Sequence, residues 1–596
     1  MRLNKFLVFS AVFLSAVTTI GYELISGSTL TQLLGSSVLA FSLTIGVYLA
    51  ALGIGGWLSG KLSDKKIAPS LILIESSVAI IGGSLAVFFY WLYGLIFNVF
   101  RGLVFNSFRG FLLGVGFGEI AFIIFALGFL FLVGLLDGFA LPLYSRLLAA
   151  KEHLGRALGR AFFWDYAGAL ATAISFPIIF YPWLGILKTS FLVGLANALA
   201  ALMVLFLVYQ QKFTLTKRIV FWLKAGVVMA LLFNLIGLVK ISDIEPILQK
   251  NIYGQKEILF HQQSPYQEIV FTKEEKGAIR LYLNGNLQFE SGLWDASYHE
   301  SLVHPAFVFK CQVPSVPEAE QARYGAGKCQ NLNVLVLGGG DGLALREILK
   351  YPQVKSVTLV DIDKKMVEAA SRLDFMKAIN QRSFEDKKVK VLFQDGLKFV
   401  EKTLEKYDII IIDFPDATDD SLARLYSQEF YYRLGDILTE KGLAAIQSTD
   451  FLMPSQRIIL KTLEAANLSA LPYHNPNKNL LTGLYDFGFT LVSRQPISKD
   501  DFLEQKITVS NRLLKSENLA EIFVPYDKGV PLAKYQPKVN SFFHPVITAS
   551  QGDVFVERYL ESYFSDEFSS QIQKMGPLSK IQNQIQNFFF NNHLFF

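Results

Sequence analysis

Acidic residues follow four predicted strands of the C-terminal half, at points where side chains can carry out chemistry. Asp341 lies in the turn of VLVLGGGDG, and Asp361 ends TLVD. Asp395 follows KVKVLFQ, Asp413 ends IIIID, and Asp416 stands three residues later. Because ligands of parallel sheets bind at the carboxyl ends of strands, we expect these side chains to line one site.

The spacing of these residues predicts an adenosyl-binding site. The turn at 338–342 is not the GxGxxG of dinucleotide sites, and a glycine-rich turn alone is weak evidence. Asp361, however, stands where an acid can bind the two ribose hydroxyls of an adenosine. At the next strand end, an acid and a glycine can bind the adenine amino group. The candidate donor-binding residues of this domain are Gly338, Gly340, Asp361, Asp395 and Gly396.

The remaining acids indicate the charge of the ligand. Asp341 lies in the turn that approaches the amino-acid tail of an adenosyl donor, and Asp413 and Asp416 follow the fourth strand. A methyl donor carries a carboxylate on this tail, which acids would repel, whereas a decarboxylated donor carries only an ammonium. The acids therefore favour a decarboxylated donor and a cationic acceptor. Taken singly, Asp341 can also cap the next helix, and Asp413 a turn.

The elements that position these residues alternate between strand and helix. Apolar strands separated by helical stretches predict a parallel sheet that is buried on both faces, in a Rossmann-like methyltransferase fold. We expect FGFTLVSR (487–494) to complete this sheet. Before it, EILFHQQSPYQEIVFT and AIRLYLNGNLQF alternate apolar and polar residues, with Asn-Gly at 284–285 as a turn. They predict a small antiparallel β unit.

The N-terminal half has the composition of a membrane domain. The chain is 52% hydrophobic, and this excess lies almost wholly before residue 241. Seven apolar segments are each long enough to cross a hydrocarbon core of about 30 Å as a helix. They lie at 6–26, 38–58, 70–98, 111–136, 162–184, 190–209 and 219–239. The sequence therefore predicts a polytopic α-helical membrane domain with the lipid bilayer as partner. The net charge of +5 is mild and indicates no nucleic-acid partner.

Basic residues indicate how this domain is oriented. They concentrate at the N-terminus and in alternate loops, as at 61–66, 146–160 and 212–218, which places the N-terminus in the cytoplasm. Seven crossings would then place the C-terminal half outside. Since an adenosyl donor is a cytosolic metabolite, we nevertheless expect a cytoplasmic catalytic domain in a multi-pass cell-membrane protein, with the external placement as the alternative. Cys311 and Cys329 flank an insertion and are either free thiols or a clasp, and a clasp needs an oxidising compartment.

Composition and pattern together predict five regions. They are a transmembrane domain at 1–245, a small β unit at 250–305, an insertion loop at 306–330, a Rossmann-like catalytic domain at 331–500 and a C-terminal extension at 501–596.

Residues 255–500 resemble the spermidine synthase family of polyamine aminopropyltransferases, and the whole chain resembles its membrane-fused branch, which has a transporter-like N-terminal half. The matching pieces are Tyr266-Gln267, Tyr298-His299-Glu300, LGGGDG, VDID (360–363), Gln394-Asp395-Gly396, DFPD (413–416) and Gln447. PKVNSFFHPVI (537–547) resembles a C-terminal segment of the same branch.

The resemblance implies aminopropyl transfer from decarboxylated S-adenosylmethionine, a co-substrate, to putrescine, with no metal or other cofactor. It implies that Asp413 is the general base and that Gln267 contacts the thioether end of the donor. The residues that would hold the amine chains are Tyr298, His299, Asp341 and Asp416. Cadaverine, agmatine or a longer amine remain alternative acceptors, and a homo-oligomer is left open. Two other functions remain open, namely a methyltransferase of the same fold and a non-catalytic polyamine transporter or sensor.

Overall fold

The computed structural model describes most of the chain as two compact units, Met1–Gln288 and Phe289–Phe596. The described residues are 5–34, 37–104, 108–150, 153–210, 215–252, 257–274, 277–284, 286–311, 329–417, 420–449, 454–476, 487–502, 505–519, 521–523 and 537–548. The predicted boundary at 305 falls inside a helix, which continues from Leu293 to Lys310.

The first unit begins with helices that are apolar along most of their length. They are α1 (Lys5–Leu34), α2 (Ser37–Ser59), α3 (Ile67–Gly83), α4 (Leu85–Val104), α5 (Phe108–Asp137), α6 (Ala140–Ala149), α7 (Leu154–Ser175), α8 (Tyr181–Gln210) and α9 (Lys217–Ile252). Helices α3 and α4 form one kinked helix, since the Ser84 amide donates to the Ile80 carbonyl and the Phe88 amide donates to the Ser84 carbonyl. The predicted segment 70–98 spans this kink.

Within the described residues, six helical stretches are long and apolar enough to cross a membrane. They are Lys5–Leu33, Ala40–Ser59, Asp64–Gly83, Ile120–Ala149, Leu154–Gln210 and Lys217–Leu248. The stretch from Leu154 to Gln210 has 57 residues and contains two of the seven predicted segments. Its helix breaks at Gly185, whose φ of 71° is left-handed and whose ψ of 174° is not helical. This glycine separates the two segments.

Two hydrophobic clusters show that successive long helices alternate in direction. One cluster joins the starts of α1, α3, α7 and α9 to the ends of α6 and α8, and includes Val8, Ile67, Leu148, Ala157, Val208 and Leu223. The other joins the ends of α1 and α9 to the starts of α2 and α8, and includes Leu30, Ala40, Ile186 and Leu248. Helices α7 and α8 are therefore antiparallel.

Buried polar side chains connect the helices of this unit. The Tyr144 hydroxyl donates to Glu75 Oε1 over 2.9 Å, and the Asn197 amide donates to the other oxygen of the same carboxylate. The Tyr48 hydroxyl donates to Asp137 Oδ2 over 2.9 Å. Such bonds between distant helices fix their register in a largely apolar bundle.

The small antiparallel sheet follows α9 with strand order β1-β2-β3-β4. Its strands are β1 (Glu257–Gln263), β2 (Glu268–Lys273), β3 (Ile279–Leu283) and β4 (Asn286–Glu290). Asn284 has a left-handed φ of 49° before β4, as expected of an Asn-Gly turn, although Gly285 lies outside the described residues.

The second unit contains a seven-stranded sheet in the order β10-β11-β9-β8-β5-β6-β7. Its strands are β5 (Leu332–Gly338), β6 (Val354–Asp361), β7 (Val389–Phe393), β8 (Tyr407–Asp413), β9 (Leu438–Gln447), β10 (Ser469–His474) and β11 (Gly488–Ser493). Strand β11 pairs antiparallel with both β9 and β10, so the prediction that FGFTLVSR completes the sheet is confirmed. Strand order reverses at β5 and β8, where the fold places its ligand crevice.

Both faces of this sheet are buried. In β8, Ile409 and Ile411 pack into one core, and Ile410 and Ile412 pack into the other. The helices of the unit are α10 (Leu293–Lys310), α11 (Leu343–Ile348), α12 (Lys364–Arg372), α13 (Asp374–Ile379), α14 (Gly396–Lys402), α15 (Asp420–Ala423), α16 (Gln428–Ile437) and α17 (Pro454–Ala465). The predicted Rossmann-like fold of the C-terminal half is confirmed.

Candidate active site

The glycine-rich turn after β5 brings the ends of three parallel strands together. Gly338 has a left-handed φ of 79°, and a Cβ atom there would lie 2.2 Å from the Asp413 carbonyl oxygen at the end of β8. A Cβ atom on Gly340 would lie 2.6 Å from Asp361 Oδ2 at the end of β6. Only glycine fits at Gly338, and a side chain at Gly340 would displace the Asp361 carboxylate, so the turn lies directly against two of the predicted site acids.

Four side chains meet at the end of β8. The Tyr298 hydroxyl, from α10, donates to Asp413 Oδ1 over 2.6 Å. His299 Nε2 lies 4.0 Å from Asp341 Oδ2. One ligand atom from each of His299, Asp341 and Asp413 lies within 4.8 Å of the others. The structure thus brings together four residues that the sequence predicted for amine binding and catalysis.

The spacing of this cluster suits an ammonium group. Three acceptors arranged tetrahedrally around an ammonium nitrogen at about 2.9 Å lie about 4.7 Å apart. Oxygen ligands of Mg²⁺ at about 2.1 Å lie only about 3 Å apart in octahedral geometry. The atoms of His299, Asp341 and Asp413 lie no more than 4.8 Å apart, and His299 Nε2 lies 4.0 Å from Asp341 Oδ2, so the cluster can surround a protonated amine.

His299 presents a lone pair to the cluster. Its Nδ1 lies 2.8 Å from the backbone carbonyl oxygen of Asp295, which can only accept, so Nδ1 carries the proton. Burial lowers the pKa of His299, which favours the neutral ring. Nε2 is then an acceptor that faces Asp341.

Burial makes the two carboxyl groups of the cluster better proton acceptors. It raises the pKa of Asp413 to about 6, against the opposing effect of the Tyr298 hydrogen bond. Burial also raises the pKa of Asp341, and the nearby Asp413 charge adds to this rise. Asp341 Oδ1 accepts the Leu343 amide over 2.9 Å at the start of α11, so the capping role also applies. Its other oxygen remains directed at the cluster.

Asp361 stands at the end of β6 as the sequence predicted. Its Oδ1 accepts the Asp363 amide over 2.7 Å, and its Oδ2 lies beside Gly340. Burial raises the pKa of Asp361 to about 7. A ligand that donates hydroxyl hydrogens to this carboxylate would favour its charged form.

Asp395 has protein partners for both of its carboxylate oxygens. Oδ1 accepts the Lys398 amide over 3.1 Å as the cap of α14, and Oδ2 pairs with Arg424. A Cβ atom on the adjacent Gly396 would lie 2.9 Å from the Phe414 ring. The sequence gave no signal of the pairing with Arg424, which lies on a different element.

Asp416 belongs to a network at the end of β9. Its Oδ1 accepts the Gln447 side-chain amide over 2.7 Å. The Tyr426 hydroxyl lies 3.1 Å from Gln447 Oε1 and 2.9 Å from the Pro415 carbonyl oxygen. This network fixes the loop that follows the predicted general base.

The C-terminal extension anchors α10, which the sequence did not indicate. The buried carboxylate of Glu300 accepts the backbone amides of Arg512, Leu513 and Leu514 over 2.6–2.9 Å. Asp295 accepts both Arg346, over 2.7 Å, and Arg512, over 2.6 Å. Since Tyr298 and His299 lie between these two acids on α10, the extension positions both side chains. Glu300 and Asp295 lie more than 200 residues from their partners in the extension, so no local pattern reveals these contacts.

A second segment of the extension holds the loop after Asp413. The buried Asn540 side chain donates to the carbonyl oxygens of Ala423 and Tyr426 over 2.8 and 3.1 Å, and accepts the Val546 amide over 3.0 Å. Asn540 lies in the motif PKVNSFFHPVI, which the sequence singled out without a role. The structure shows what it contacts.

Two further predicted features belong to other segments of the chain. Gln267 lies in the first unit, in the turn between β1 and β2, where its backbone N–H donates to Ser264 Oγ over 2.9 Å. Cys311 and Cys329 form a disulfide with their Cα atoms 5.2 Å apart, so the clasp rather than the pair of free thiols is present. Residues 312–328 between them lie outside the described residues.

Comparisons with known proteins give a consistent family. Residues 296–478 match the Spermine/spermidine synthase domain. The chain is 35% identical over 543 residues to Polyamine aminopropyltransferase 2 of Ralstonia nicotianae. This alignment covers 90% of this chain and 96% of the relative. It is 32% identical to Polyamine aminopropyltransferase of Oceanobacillus iheyensis, over 91% and 96% of the two chains. Matches of this length include the helical half as well as the Rossmann-like half.

Among solved structures, a spermidine synthase in complex with the transition state analogue AdoDATO aligns with a TM-score of 0.36 at 21% identity. The alignment covers 45% of this chain and 86% of that one.

Proposed function

The chain belongs to the polyamine aminopropyltransferase family, and on this premise we propose that it transfers an aminopropyl group from decarboxylated S-adenosylmethionine to putrescine. The products are spermidine and methylthioadenosine. The observation that carries the proposal is the cluster of His299, Asp341 and Asp413, whose acceptor atoms lie within 4.8 Å of one another. This cluster fits an ammonium group at the carboxyl end of the strand that bears Asp413.

The positive charges of the substrates explain why the site is lined with acidic residues. Putrescine carries two ammonium groups at neutral pH, and the decarboxylated donor carries an ammonium and a sulfonium. Asp341, Asp413 and Asp416 attract these cations, whereas the carboxylate of an ordinary methyl donor would be repelled. The same acids therefore favour aminopropyl transfer over methyl transfer.

Asp413 acts as the general base. An ammonium has no lone pair, so the attacking nitrogen must first give one proton to Asp413. The nitrogen then attacks the methylene carbon next to the sulfonium, the carbon–sulfur bond breaks, and its electron pair stays on sulfur. The new secondary ammonium keeps its remaining protons, so one proton is released for each turnover.

The buried environment of Asp413 assists this proton transfer. A primary ammonium has a pKa of about 10, far above that of an ordinary aspartate. The rise in the pKa of Asp413 from 3.8 to about 6 narrows this gap by about 3 kcal/mol. Tyr298 holds the carboxylate in place through its 2.6 Å hydrogen bond.

Residues around the glycine-rich turn hold the donor. We assign Asp361 to the ribose hydroxyls, since its Oδ2 lies against the turn at Gly340. Gly338 and Gly340 let the backbone approach the donor. Asp395 and Gly396 hold the adenine, with the Asp395 carboxylate fixed by Arg424. The contact of Gln267 with the thioether end of the donor stays a prediction of the family resemblance.

The helical unit attaches the enzyme to a lipid bilayer. Six described helical stretches are long and apolar enough to cross one. Large apolar side chains of this unit are exposed, among them Trp57, Ile124, Leu170, Trp183 and Val239, each at least 62% accessible. An exposed apolar surface of this kind needs a partner, and hydrocarbon meets that need. The seven predicted segments correspond to seven crossings.

A product assay tests this function. Full-length protein in detergent is given putrescine with either decarboxylated or ordinary S-adenosylmethionine, and products are identified by mass spectrometry. We expect methylthioadenosine and spermidine from the decarboxylated donor alone, and loss of both in Asp413→Asn. Methylated amine from the ordinary donor would instead establish a methyltransferase. Amine binding without turnover would establish a transporter or sensor.

A further inference from the structure

The helical unit carries most of its positive charge at one end. Arg146, near the end of α6, donates to the carbonyl oxygens of Ser59 and Leu62 and pairs with Asp64 in the loop between α2 and α3. The hydrophobic cluster at this end also contains the starts of α7 and α9 and the end of α8. We call it the basic end. Its Lys and Arg residues, among those that the structure describes, are Lys5, Lys61, Lys65, Lys66, Arg146, Arg156, Arg160, Lys217, Arg218 and Lys224.

The chain leaves the helical bundle at the other end. Leu248, near the end of α9, packs in the cluster that contains the end of α1 and the start of α8. Glu245 of α9 lies 3.7 Å from His261 of β1, so the small sheet begins there. Basic residues at this end are fewer, namely Arg101, Arg109, Lys188, Lys240 and Lys250.

The excess of Lys and Arg at the basic end identifies the cytoplasmic face. Positively charged loops near the ends of membrane helices are retained in the cytoplasm. Among the described residues, ten basic residues at one end against five at the other give a clear bias. The chain therefore enters β1 on the opposite face. No described helix after α9 is long and apolar enough to return it.

The disulfide in the second unit is independent support for placing that unit on the non-cytoplasmic side of the membrane. Cys311 ends α10, the helix that carries Tyr298 and His299, and its sulfur is bonded to that of Cys329. Disulfides persist in oxidising compartments outside the cytoplasm and are rare within it. The charge bias of the first unit and the cysteine pairing of the second thus both indicate that the second unit lies outside the cytoplasm.

We propose that the catalytic half of this protein lies on the non-cytoplasmic side of the membrane and takes its amine acceptor from that side. The proposal rests on the aminopropyl transfer and on the membrane attachment proposed above. A sulfonium and amines that are fully charged do not cross hydrocarbon unaided. An export step for the cationic adenosyl donor must therefore precede this reaction, because the adenosyl donor is a cytosolic metabolite.

Cysteine labelling tests the sidedness without relying on turnover. Leu404→Cys introduces a thiol in the second unit at a side chain that is 94% exposed, and Ser63→Cys introduces one at the basic end. Each is made in the otherwise native chain and treated, in spheroplasts of a bacterial host, with a membrane-impermeant maleimide before and after lysis. We expect Leu404→Cys to react before lysis and Ser63→Cys only after it. Protection of Leu404→Cys until lysis would overturn the proposal.

The native chain supplies a second readout. Without an added cysteine, Cys311 and Cys329 should react with a maleimide only after denaturation with a reductant. If protein taken directly from cells has two free thiols, the disulfide no longer supports the non-cytoplasmic placement. The labelling of Leu404→Cys would then be the test of the placement.

Enzyme turnover in sealed right-side-out vesicles completes the test. With decarboxylated S-adenosylmethionine and putrescine added outside, we expect the rate to change less than twofold when detergent opens the vesicles. A rate that appears only after detergent would place the site in the cytoplasm. No turnover even with detergent would refute the proposed function, and the labelling would still report the side.

Discussion

Tyr298→Phe should move the acidic limb of the pH–rate profile upward. The Tyr298 hydroxyl donates to Asp413 Oδ1 over 2.6 Å, and this bond lowers the pKa of Asp413 against the rise that burial causes. Removing the bond leaves only the effect of burial, so the pKa must rise above its present value of about 6. The phenylalanine ring keeps the contacts with Phe487 and Phe489 at 5.0 and 5.5 Å between centroids.

The size of the shift follows from the strength of the bond. A hydrogen bond to a charged group contributes about 1.5–3 kcal/mol, which corresponds to about 1–2 pH units. Asp413 must be ionised to accept a proton, so the rate falls as pH drops through its pKa. We expect Tyr298→Phe to lose roughly tenfold in kcat/KM for putrescine at pH 6 and little at pH 9.

The assay measures kcat/KM for the amine from pH 5 to pH 10 with the donor saturating. Groups other than Asp413 titrate in both proteins, so the difference between the two profiles reports the hydrogen bond. Tyr431→Phe is the matched control, because the buried Tyr431 hydroxyl has no hydrogen-bond partner within the described residues. An acidic limb that stays in place or moves downward in Tyr298→Phe would refute the assignment of Asp413 as the base.

Three further predictions follow from the site. Asp413→Asn should lower kcat by about 10²–10⁴, and it should raise the melting temperature at pH 7. Because the pKa of Asp413 is raised from 3.8 to about 6 in the folded state, the folded protein loses stability as the pH rises between these values. The neutral amide that replaces this carboxyl group in Asp413→Asn does not have this effect. Equal melting temperatures of the two proteins at pH 7 would therefore contradict the burial argument. Asp341→Asn should raise KM for putrescine more than it lowers kcat, and an unchanged KM in initial-rate measurements would show that the amine binds elsewhere. Asn540→Ala should cost roughly 2–4 kcal/mol in urea unfolding, since four hydrogen bonds of a buried side chain are lost. The control is Lys461→Ala, whose side chain on α17 is 49% exposed and which should leave stability within about 0.5 kcal/mol.

Local sequence determined most of the architecture. Apolar segments of about 20 residues predicted the helices of the first unit, because hydrophobicity and length are local properties. Alternation of apolar strands with helices predicted the parallel sheet, but its strand order was seen only in the structure. The acids at the strand ends were also predictable, since parallel strands bring their carboxyl ends to one edge. Asp341, Asp361 and Asp413 lie at that edge.

Only the tertiary structure decided how these side chains are held. The bond from Tyr298 to Asp413 joins residues 115 positions apart, and the bonds from Glu300 to Arg512 and its neighbours span more than 200. Neither leaves a periodic signal, because such contacts depend on how elements pack and not on their own composition. The disulfide between Cys311 and Cys329 was likewise one of two alternatives in the sequence and became definite when the two sulfur atoms were located. The kind of chemistry was thus encoded locally, whereas the positions of the reacting groups were fixed by contacts that only the folded chain makes.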